Sequence, residues 1–307
     1  MQSMPQEPVP NIPEEGILSK NQKSKSPFQI GLSRFFKNKL AVISLIILLL
    51  IILICIFAPL FTDLDPEKTN LLKIEQGPSE EHILGTNGVG QDNFSRLLYG
   101  GRISLVVGFS AMFFTLVIGV VLGSLAGYYG GKVDSVIMRG ADIMLMLPFL
   151  VLVLTIMAVI DNVTIGLFVT TIALTSWPSL TRIIRGSYLS LREQEFVLSA
   201  HAIGANDFRI IFKHFIPNAI GPIVVNATLM MASYIIIESG LSFIGFGIPQ
   251  PTPTWGNMIS EAQNIRILRN HPEAWIPPGL AIFITVLTIN FIGDGLRDAF
   301  DPKSNQR

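Results

Sequence analysis

The chain has 307 residues, of which 50% are hydrophobic and only 14% are charged. Soluble domains carry about 25% charged residues, so this composition excludes an ordinary soluble domain and indicates a membrane protein. The 22 basic and 22 acidic side chains balance, which excludes a strongly basic nucleic-acid-binding surface. The single cysteine, Cys55, excludes an intrachain disulfide and a zinc site built from several cysteines.

The first 27 residues are rich in Pro, Gln, Ser and Lys and lack apolar periodicity, so they predict a disordered tail. Residues 28–37 place apolar side chains on one side of a short helix, which is typical of a helix at a membrane interface. The basic residues Arg34, Lys37 and Lys39 precede the first apolar run and are expected to meet lipid phosphates.

Six apolar runs follow, each of the length that crosses a bilayer as a helix. They cover 40–62, 103–131, 143–160, 162–181, 215–237 and 274–293, and the fifth is expected to continue toward Gly245. The pattern predicts an all-α polytopic membrane protein with six transmembrane helices. Its parts are a tail at 1–27, the first transmembrane helix and outer loop at 28–101, a five-helix core at 102–302 and a short tail at 303–307.

The distribution of basic residues predicts the orientation. Sixteen of the 22 Lys and Arg residues lie on the side that holds both termini, and six lie on the opposite side. By the positive-inside rule, both termini are cytoplasmic. Trp177, Trp255 and Trp275 fall near the predicted interfaces, as do Tyr128 and Tyr129, which is typical of aromatic belts.

Three features stand out in or next to the second and third runs. Gly119, Gly123 and Gly127 recur every four residues, so they predict a smooth face for close helix contact, within the chain or with another subunit. Pro148 is expected to kink the third run, as a packing device or as a hinge. At the start of that run, Arg139 and Asp142 are three residues apart and are expected to pair on one helix face.

A polar segment at 188–217 interrupts the apolar pattern between the fourth and fifth runs. It predicts two short helices joined at Gly204, which suits a left-handed helix end, with Asn206 or Asp207 capping the second helix. Pro217 is expected to close the segment. The second helix carries an apolar stripe formed by Phe208, Ile211, Phe212 and Phe215. This stripe predicts a docking surface for a partner protein, and the alternatives are that it lies on the membrane or on the chain's own helices.

Three polar residues within the last two runs are candidates for a transport pathway. Glu238 is expected to line the pathway mouth or to form a structural pair with Arg102 or with another subunit. Asn226 and Asn290 are expected to face the pathway or, by preference, to form hydrogen bonds between helices.

The polar segment resembles the coupling loop of binding-protein-dependent ATP-binding cassette importers, in which an EAA-x3-G pattern is followed by a proline. The matching positions are Leu198, Ser199, Ala200, Gly204 and Pro217. Leu198 stands where the family usually has glutamate, and Ser199 stands where it usually has alanine. The helix–glycine–helix frame of the family is retained.

Two outer signatures also resemble those of peptide and nickel permeases, at 82–105 and at 241–258. In the first, Asn87 and Gln91 replace a usual Asp and Arg. The chain is thereby identified as similar to the second, C-type, membrane subunit of the peptide permease family. The resemblance implies that it is not an enzyme but a transport subunit in the cytoplasmic membrane of a prokaryote.

The same resemblance implies the partners. They are a second homologous permease subunit, two cytoplasmic ATPase subunits and an external substrate-binding protein. ATP and Mg are expected on the ATPase subunits, because this chain has no G-x4-G-K-[ST] phosphate loop. No catalytic residue, cofactor or metal is expected in this chain. The expected ATPase-coupling residues are Glu195, Leu198, Ser199, Ala200, Gly204, Asp207, Phe208, Arg209, Phe212 and Pro217.

Other function classes fit less well. A membrane-embedded enzyme would need a catalytic cluster at bilayer depth, and all four histidines lie outside the apolar runs. An ion-coupled transporter usually has buried charges and paired broken helices. In this chain only Glu238 and Pro148 suggest such features, and they do not lie in corresponding positions of two halves. No His or Cys cluster in the runs suits a metal, so di- or oligopeptides are the expected substrates, and nickel or another small chelate is the alternative.

Overall fold

The computed structural model describes residues 27–160 and 163–300. The helices are α1 (Pro27–Phe35), α2 (Lys39–Ile56), α3 (Asn93–Tyr129), α4 (Gly131–Met146), α5 (Phe149–Val159), α6 (Ile165–Arg192), α7 (Glu195–Ala202), α8 (Asp207–Ile210), α9 (Ile216–Ile244), α10 (Trp255–Ser260), α11 (Ile265–Asn270) and α12 (Pro272–Phe300). Five helices are long and apolar enough to cross a membrane, and α4 with α5 makes a sixth crossing if the bent pair counts as one span. The predicted all-α membrane fold is confirmed. Apart from Pro27, the predicted tails lie outside the described residues.

The long helices α3 and α6 pack along a shared face that the glycine stripe makes possible. A Cβ atom added at Gly119, Gly123 or Gly127 would come within 2.5–2.7 Å of side-chain atoms of α6. The helices therefore approach more closely than any larger residue would allow. Of the two alternatives for this stripe, contact within the chain is the one observed.

Two helices extend beyond their predicted bounds. The second span begins at Asn93 rather than at 103, because the Asp92 side chain caps it by accepting a 2.7 Å hydrogen bond from the Ser95 backbone N–H. The fourth span continues to Arg192, so the first five residues of the polar segment 188–217 belong to it.

The third span is broken rather than kinked. Helices α4 and α5 meet at an angle of 81°. Leu147, between them, has an extended backbone (φ −84°, ψ 129°), and Pro148 caps α5. The reason is that a proline donates no hydrogen bond and also pushes the preceding residue out of the helical region. The predicted run at 143–160 therefore holds the end of α4, the break and α5, and the disruption at Pro148 is sharper than the predicted kink.

Two smaller segments also differ from the prediction. The short helix expected at 28–37 is present as α1, but Phe35 is buried and its ring lies against Gly295 of α12 rather than at the surface. In the outer segment 246–273, prolines at the alternate positions 249, 251 and 253 predict an extended chain, whereas the structure has α10 and α11 there. Helix α10 begins at a capping box in which Thr254 and Asn257 exchange hydrogen bonds.

Candidate functional site

The coupling segment, defined here as residues Glu195–Phe215, is a helix–turn–helix on the face where the described chain begins and ends. Gly204 has φ +74°, and the Ala205 N–H donates a 3.0 Å hydrogen bond to the carbonyl of Ala200. This is the six-to-one bond of a Schellman helix end, which requires a left-handed residue. The predicted glycine stop between two helices is confirmed.

The second helix is fixed at its start by two neighbouring side chains. Asn206 is the cap, because its Oδ1 accepts a 3.0 Å hydrogen bond from the Arg209 N–H. Asp207 accepts a 2.7 Å hydrogen bond from the hydroxyl of Tyr128, at the end of α3. Of the two predicted caps, Asn206 therefore has that position, and Asp207 links the segment to a transmembrane helix.

The apolar stripe of the segment divides between two surfaces. Phe208 is 68% exposed and Phe212 is 55% exposed, with their ring centroids 4.3 Å apart. Phe215, in contrast, is fully buried against Tyr128 and Tyr188. Assigning Phe215 to the docking surface was therefore wrong, because the stripe turns inward as the helix approaches the membrane spans.

The first helix of the segment also has two faces. Val197 and Ala200 are buried against the chain's own core, whereas Leu198 and Ile203 are exposed. Glu195 and Ser199 are also exposed. Leu198, in the position where the family usually has glutamate, is therefore an exposed apolar side chain on the first helix, as Phe208 and Phe212 are on the second.

Pro217 does not close the segment. The helical path runs from α8 through a π-helical turn, Ile211–Phe215, directly into α9, and Pro217 lies in the first turn of α9. In the π turn the Ile216 N–H donates to the carbonyl of Ile211, five residues back. This wider turn accommodates a proline, which has no N–H to donate, without ending the helix.

A chamber of about 290 Å³ lies beside the break of the third span. Met144 and Leu147 line it from the broken span, and Tyr234 lines it from α9. Its polar groups also include the hydroxyls of Thr175, Ser176 and Ser179 and the amide of Asn226. Asn226 donates to the carbonyl of Pro222 in its own helix rather than to another helix. Asn290 lies partly buried in α12 and is not among the described residues that line the chamber.

Glu238 is not at a pathway surface. It is fully buried and accepts hydrogen bonds from the hydroxyls of Ser104 (3.2 Å) and Ser242 (2.9 Å). Arg102 instead donates to the carbonyl groups of Cys55 and Ile56 at the end of α2. The predicted pathway position and the Arg102 pair are both wrong, because hydroxyl groups satisfy this carboxyl group inside the helix bundle.

Arg96 joins the two outer segments of the chain. Its fully buried guanidinium donates to Gln91 Oε1 (2.5 Å) and to the carbonyls of Pro66 and Pro251 (3.3 and 3.2 Å). The Trp255 N–H donates to the hydroxyl of Ser104. These contacts fasten the loop before α3 and the loop before α10 to the end of α3 that lies opposite the coupling segment. We call this region the outer platform, because the distribution of basic residues predicts that it lies outside the cell.

A hydrogen-bonded amide pair completes the outer platform. Asn87 Nδ2 donates to Gln91 Oε1 (3.0 Å) and to Glu261 Oε1 (3.1 Å). Burial raises the pKa of the Glu261 carboxyl, while the Arg96 charge and the Asn87 hydrogen bond act in the opposite direction. Where the resembling signature has an Asp and an Arg, this chain therefore has a neutral amide pair in direct contact.

Ion pairs join α4, the first half of the broken span, to α6. They lie on the side of the molecule that carries the coupling segment. Arg185 forms two 2.5 Å hydrogen bonds with the Asp134 carboxylate, and Arg182 pairs with Asp142. The predicted local pair of Arg139 with Asp142 is therefore wrong. A carboxylate at a helix surface pairs with the neighbouring helix when that helix supplies a guanidinium at shorter range.

The family comparison decides the identity of this architecture. Residues 119–306, which include the coupling segment, match the family described as binding-protein-dependent transport system inner membrane component. The chain belongs to this family. Residues 26–78 of this inner membrane component also match the N-terminal transmembrane domain of oligopeptide transport permease C.

Two relatives support the family assignment, and a solved structure supports the fold. The inner membrane component is 42% identical over 285 residues to the oligopeptide transport system permease protein OppC of Bacillus subtilis, covering 92% of each chain. It is 41% identical over 296 residues to the dipeptide transport system permease protein DppC of Alkalihalophilus pseudofirmus, covering 96% of this chain and 95% of that protein. An inward-facing structure of the MetNI methionine ABC transporter matches its fold with a TM-score of 0.54 and 18% identity, over 67% of this chain and 96% of that chain.

Sequence reasoning missed three residues that organise this inner membrane component. Trp255 and Tyr128 were both assigned to aromatic belts, yet both are buried. Arg96 was read only as part of a signature, although its position in the first turn of α3 places a buried charge at a helix end. Each has its partners more than 70 residues away in the chain or in an irregular loop, where sequence periodicity gives no signal.

We expect Glu238→Ala to destabilise the protein and Glu238→Gln to be much milder. Alanine leaves the hydroxyls of Ser104 and Ser242 without their acceptor, at a cost of about 1–3 kcal/mol for each unsatisfied group, whereas glutamine keeps an acceptor oxygen. Thermal unfolding of the purified protein in detergent measures the difference. If the alanine variant were as stable as the wild type and had altered transport selectivity, Glu238 would instead be a residue of the transport pathway.

Proposed function

We propose that this chain is the membrane subunit through which a binding-protein-dependent importer moves di- or oligopeptides into the cell. The coupling segment carries this proposal, because both of its helices expose apolar side chains, Leu198 on the first and the Phe208–Phe212 pair on the second, beside the ends of the transmembrane helices. In this proposal both termini and the coupling segment are cytoplasmic, as the excess of basic residues on that side favours.

The exposed face of the coupling segment suits a groove in a partner ATPase. Exposed aromatic rings next to charged side chains are typical of a helix that docks in a partner's groove, with the charges at the rim. Here Phe208 and Phe212 supply the rings and Glu195 and Arg209 supply the charges. Ser199, Gly204 and Asp207 lie on the same exposed segment. Ala200 packs against the chain's own core, and Pro217 lies beyond the segment in the first turn of α9.

ATP hydrolysis in this proposal takes place on two cytoplasmic ATPase subunits, which bind ATP and Mg. Their closure moves the coupling segment, and the segment moves the transmembrane helices against those of a second permease subunit as rigid bodies. An external binding protein delivers the substrate to the outer platform. Because the permease transmits motion and performs no chemistry, it needs no cofactor or catalytic residue.

Peptides are favoured as the substrates because the similar proteins named above are oligopeptide and dipeptide permeases. The alternative, a nickel or other small chelate, is not favoured. The chamber beside the broken span offers hydroxyl groups, an amide and thioether side chains. A peptide backbone can exchange its hydrogen bonds with water for such neutral groups as it passes.

The first test measures uptake of a labelled dipeptide and a labelled pentapeptide by cells with and without this gene. We expect the deletion to abolish uptake of at least one of them and the wild-type gene to restore it. Gly204→Asn should also restore uptake, whereas Gly204→Val should not, because a β-branched residue is strongly disfavoured in the left-handed region.

Each outcome of this test has a distinct meaning. Unchanged uptake of both peptides in the deletion strain would contradict peptide import. Restoration by the valine variant would contradict the proposal that the coupling segment must keep its turn. Space around Gly204 is open, with no atom within 4 Å of an added Cβ, so the valine variant tests backbone conformation rather than packing.

The chamber is proposed as part of the translocation pathway, with Asn226 at its wall. We expect Ser179→Phe to lower peptide uptake several-fold, because a phenyl ring fills much of a 290 Å³ space. Leu174→Phe is the matched control, since Leu174 is exposed on the same helix and does not line the chamber in the described residues. Uptake is measured at equal membrane abundance, and normal uptake by the Ser179 variant would exclude the chamber from the pathway.

A further inference from the structure

We infer that Tyr128 is a positioning residue that ties the coupling segment to α3, so that movement of the segment also moves this transmembrane helix. The inference rests on the proposed function of the coupling segment. It assigns a specific side-chain link between that segment and a helix to which it has no direct chain connection.

The link is a hydrogen bond to a charged group. The Tyr128 hydroxyl donates to Asp207 Oδ1 at 2.7 Å, between residues 79 positions apart in the chain. Tyr128 is buried in the last turn of α3, and Asp207 is the first residue of α8. Hydrogen bonds to a carboxylate are about twice as strong as those between neutral groups, so this bond fixes the start of α8 relative to α3.

An aromatic cluster of Tyr128, Phe215 and Tyr188 surrounds the link. The ring of Tyr128 meets that of Phe215 edge-on at 5.5 Å between centroids, and Phe215 meets Tyr188 of α6 at 4.7 Å. Phe215 and Tyr188 are fully buried. The cluster therefore joins the coupling segment, α3 and α6 in one packed unit.

Little free space remains in this unit to absorb a displacement. A Cβ added at Gly127 would lie 2.5 Å from the Cβ of Tyr188, so α3 and α6 are in close contact next to the cluster. Close-packed interiors transmit strain instead of deforming continuously. A movement of α8 is thus passed to the ends of both helices.

The hydrogen bond fixes the position of the coupling segment relative to α3, which packing alone does not do. Val197, Ala200 and Ile210 also pack against the same core, but apolar burial is non-directional and tolerates sliding. The chain connects the coupling segment directly to α6 and α9 only. The Tyr128–Asp207 bond therefore fixes the register between the segment and α3.

The first experiment measures amide hydrogen exchange in Glu195–Ile210 of the purified permease subunit in lipid nanodiscs, without ATPase subunits. Tyr128→Phe removes one hydroxyl group and keeps the ring. We expect it to raise exchange in this segment about tenfold or more, as loss of a hydrogen bond to a charged group implies. Asp207→Ala should have the same effect, and Asp207→Asn, which keeps an acceptor oxygen, a smaller one.

Tyr129→Phe is the matched control for this experiment. Tyr129 is the adjacent tyrosine and is about half exposed, so its hydroxyl should not affect exchange in the coupling segment. The double variant Tyr128→Phe/Asp207→Ala should match the single variants rather than add to them, since both remove one interaction. Unchanged exchange in Tyr128→Phe would overturn the inference whatever the protein transports.

The second experiment measures peptide imported per ATP hydrolysed in proteoliposomes that contain the complete importer. We expect Tyr128→Phe to retain ATP hydrolysis and assembly but to import about two- to thirtyfold less peptide per ATP, the range expected for loss of coupling between sites. A merely structural defect would lower assembly and both activities together.

The outcomes separate the inference from the proposed function. Increased exchange with a normal import ratio would show that Tyr128 holds the segment without passing on its motion, which overturns the inference and leaves peptide import standing. Wild-type proteoliposomes that hydrolyse ATP but import no peptide would overturn the proposed function, and the transmission step would be rejected with it. Lower import per ATP only in variants that break the Tyr128–Asp207 bond would support both.

Discussion

A chain that crosses a bilayer must satisfy its own backbone hydrogen bonds, and the whole architecture follows from this constraint. The apolar spans are helical because water is not available to pair with their peptide groups. Irregular backbone is therefore confined to places where protein or water can serve instead. In the described residues those places include the outer platform, the break at Leu147 and Pro148 beside the chamber, and the turn at Gly204.

Helix α3 connects the outer platform to the coupling segment. Its 37 residues correspond to about 55 Å of helix. Arg96 fixes its outer end to both outer loops, and Tyr128 fixes its inner end to Asp207. Between these ends, the glycine stripe holds it against α6. A rigid helix anchored at both ends gives the binding-protein side and the ATPase side of the proposed importer a physical connection.

Local signals in the sequence predicted much of this architecture. The glycine spacing in α3 predicted close helix packing, and Gly204 with Asn206 predicted the turn and cap of the coupling segment. These features depend on backbone geometry within a few residues. Apolar length alone was sufficient to find the spans, although the caps that set their true ends, such as Asp92, lie outside the apolar runs.

Features that depend on distant partners were not predictable in the same way. Helical periodicity placed Phe208 and Phe215 on one stripe, but only tertiary packing decides that Phe215 is buried and Phe208 is exposed. The hydroxyls that satisfy Glu238 and the arginine that pairs with Asp142 come from other elements. Pro148 signalled a disruption, yet the sequence did not distinguish a kink from an 81° break.

Site-specific photo-crosslinking tests the central claim most directly. A benzophenone amino acid at Phe212, in the assembled importer in its native membrane, should crosslink to an ATPase subunit. The same group at Phe113, which is exposed within the span α3, should crosslink to lipid or to another membrane subunit and not to the ATPase. Crosslinking of the Phe212 position to lipid alone, in membranes that import peptide, would contradict the account of a coupling surface.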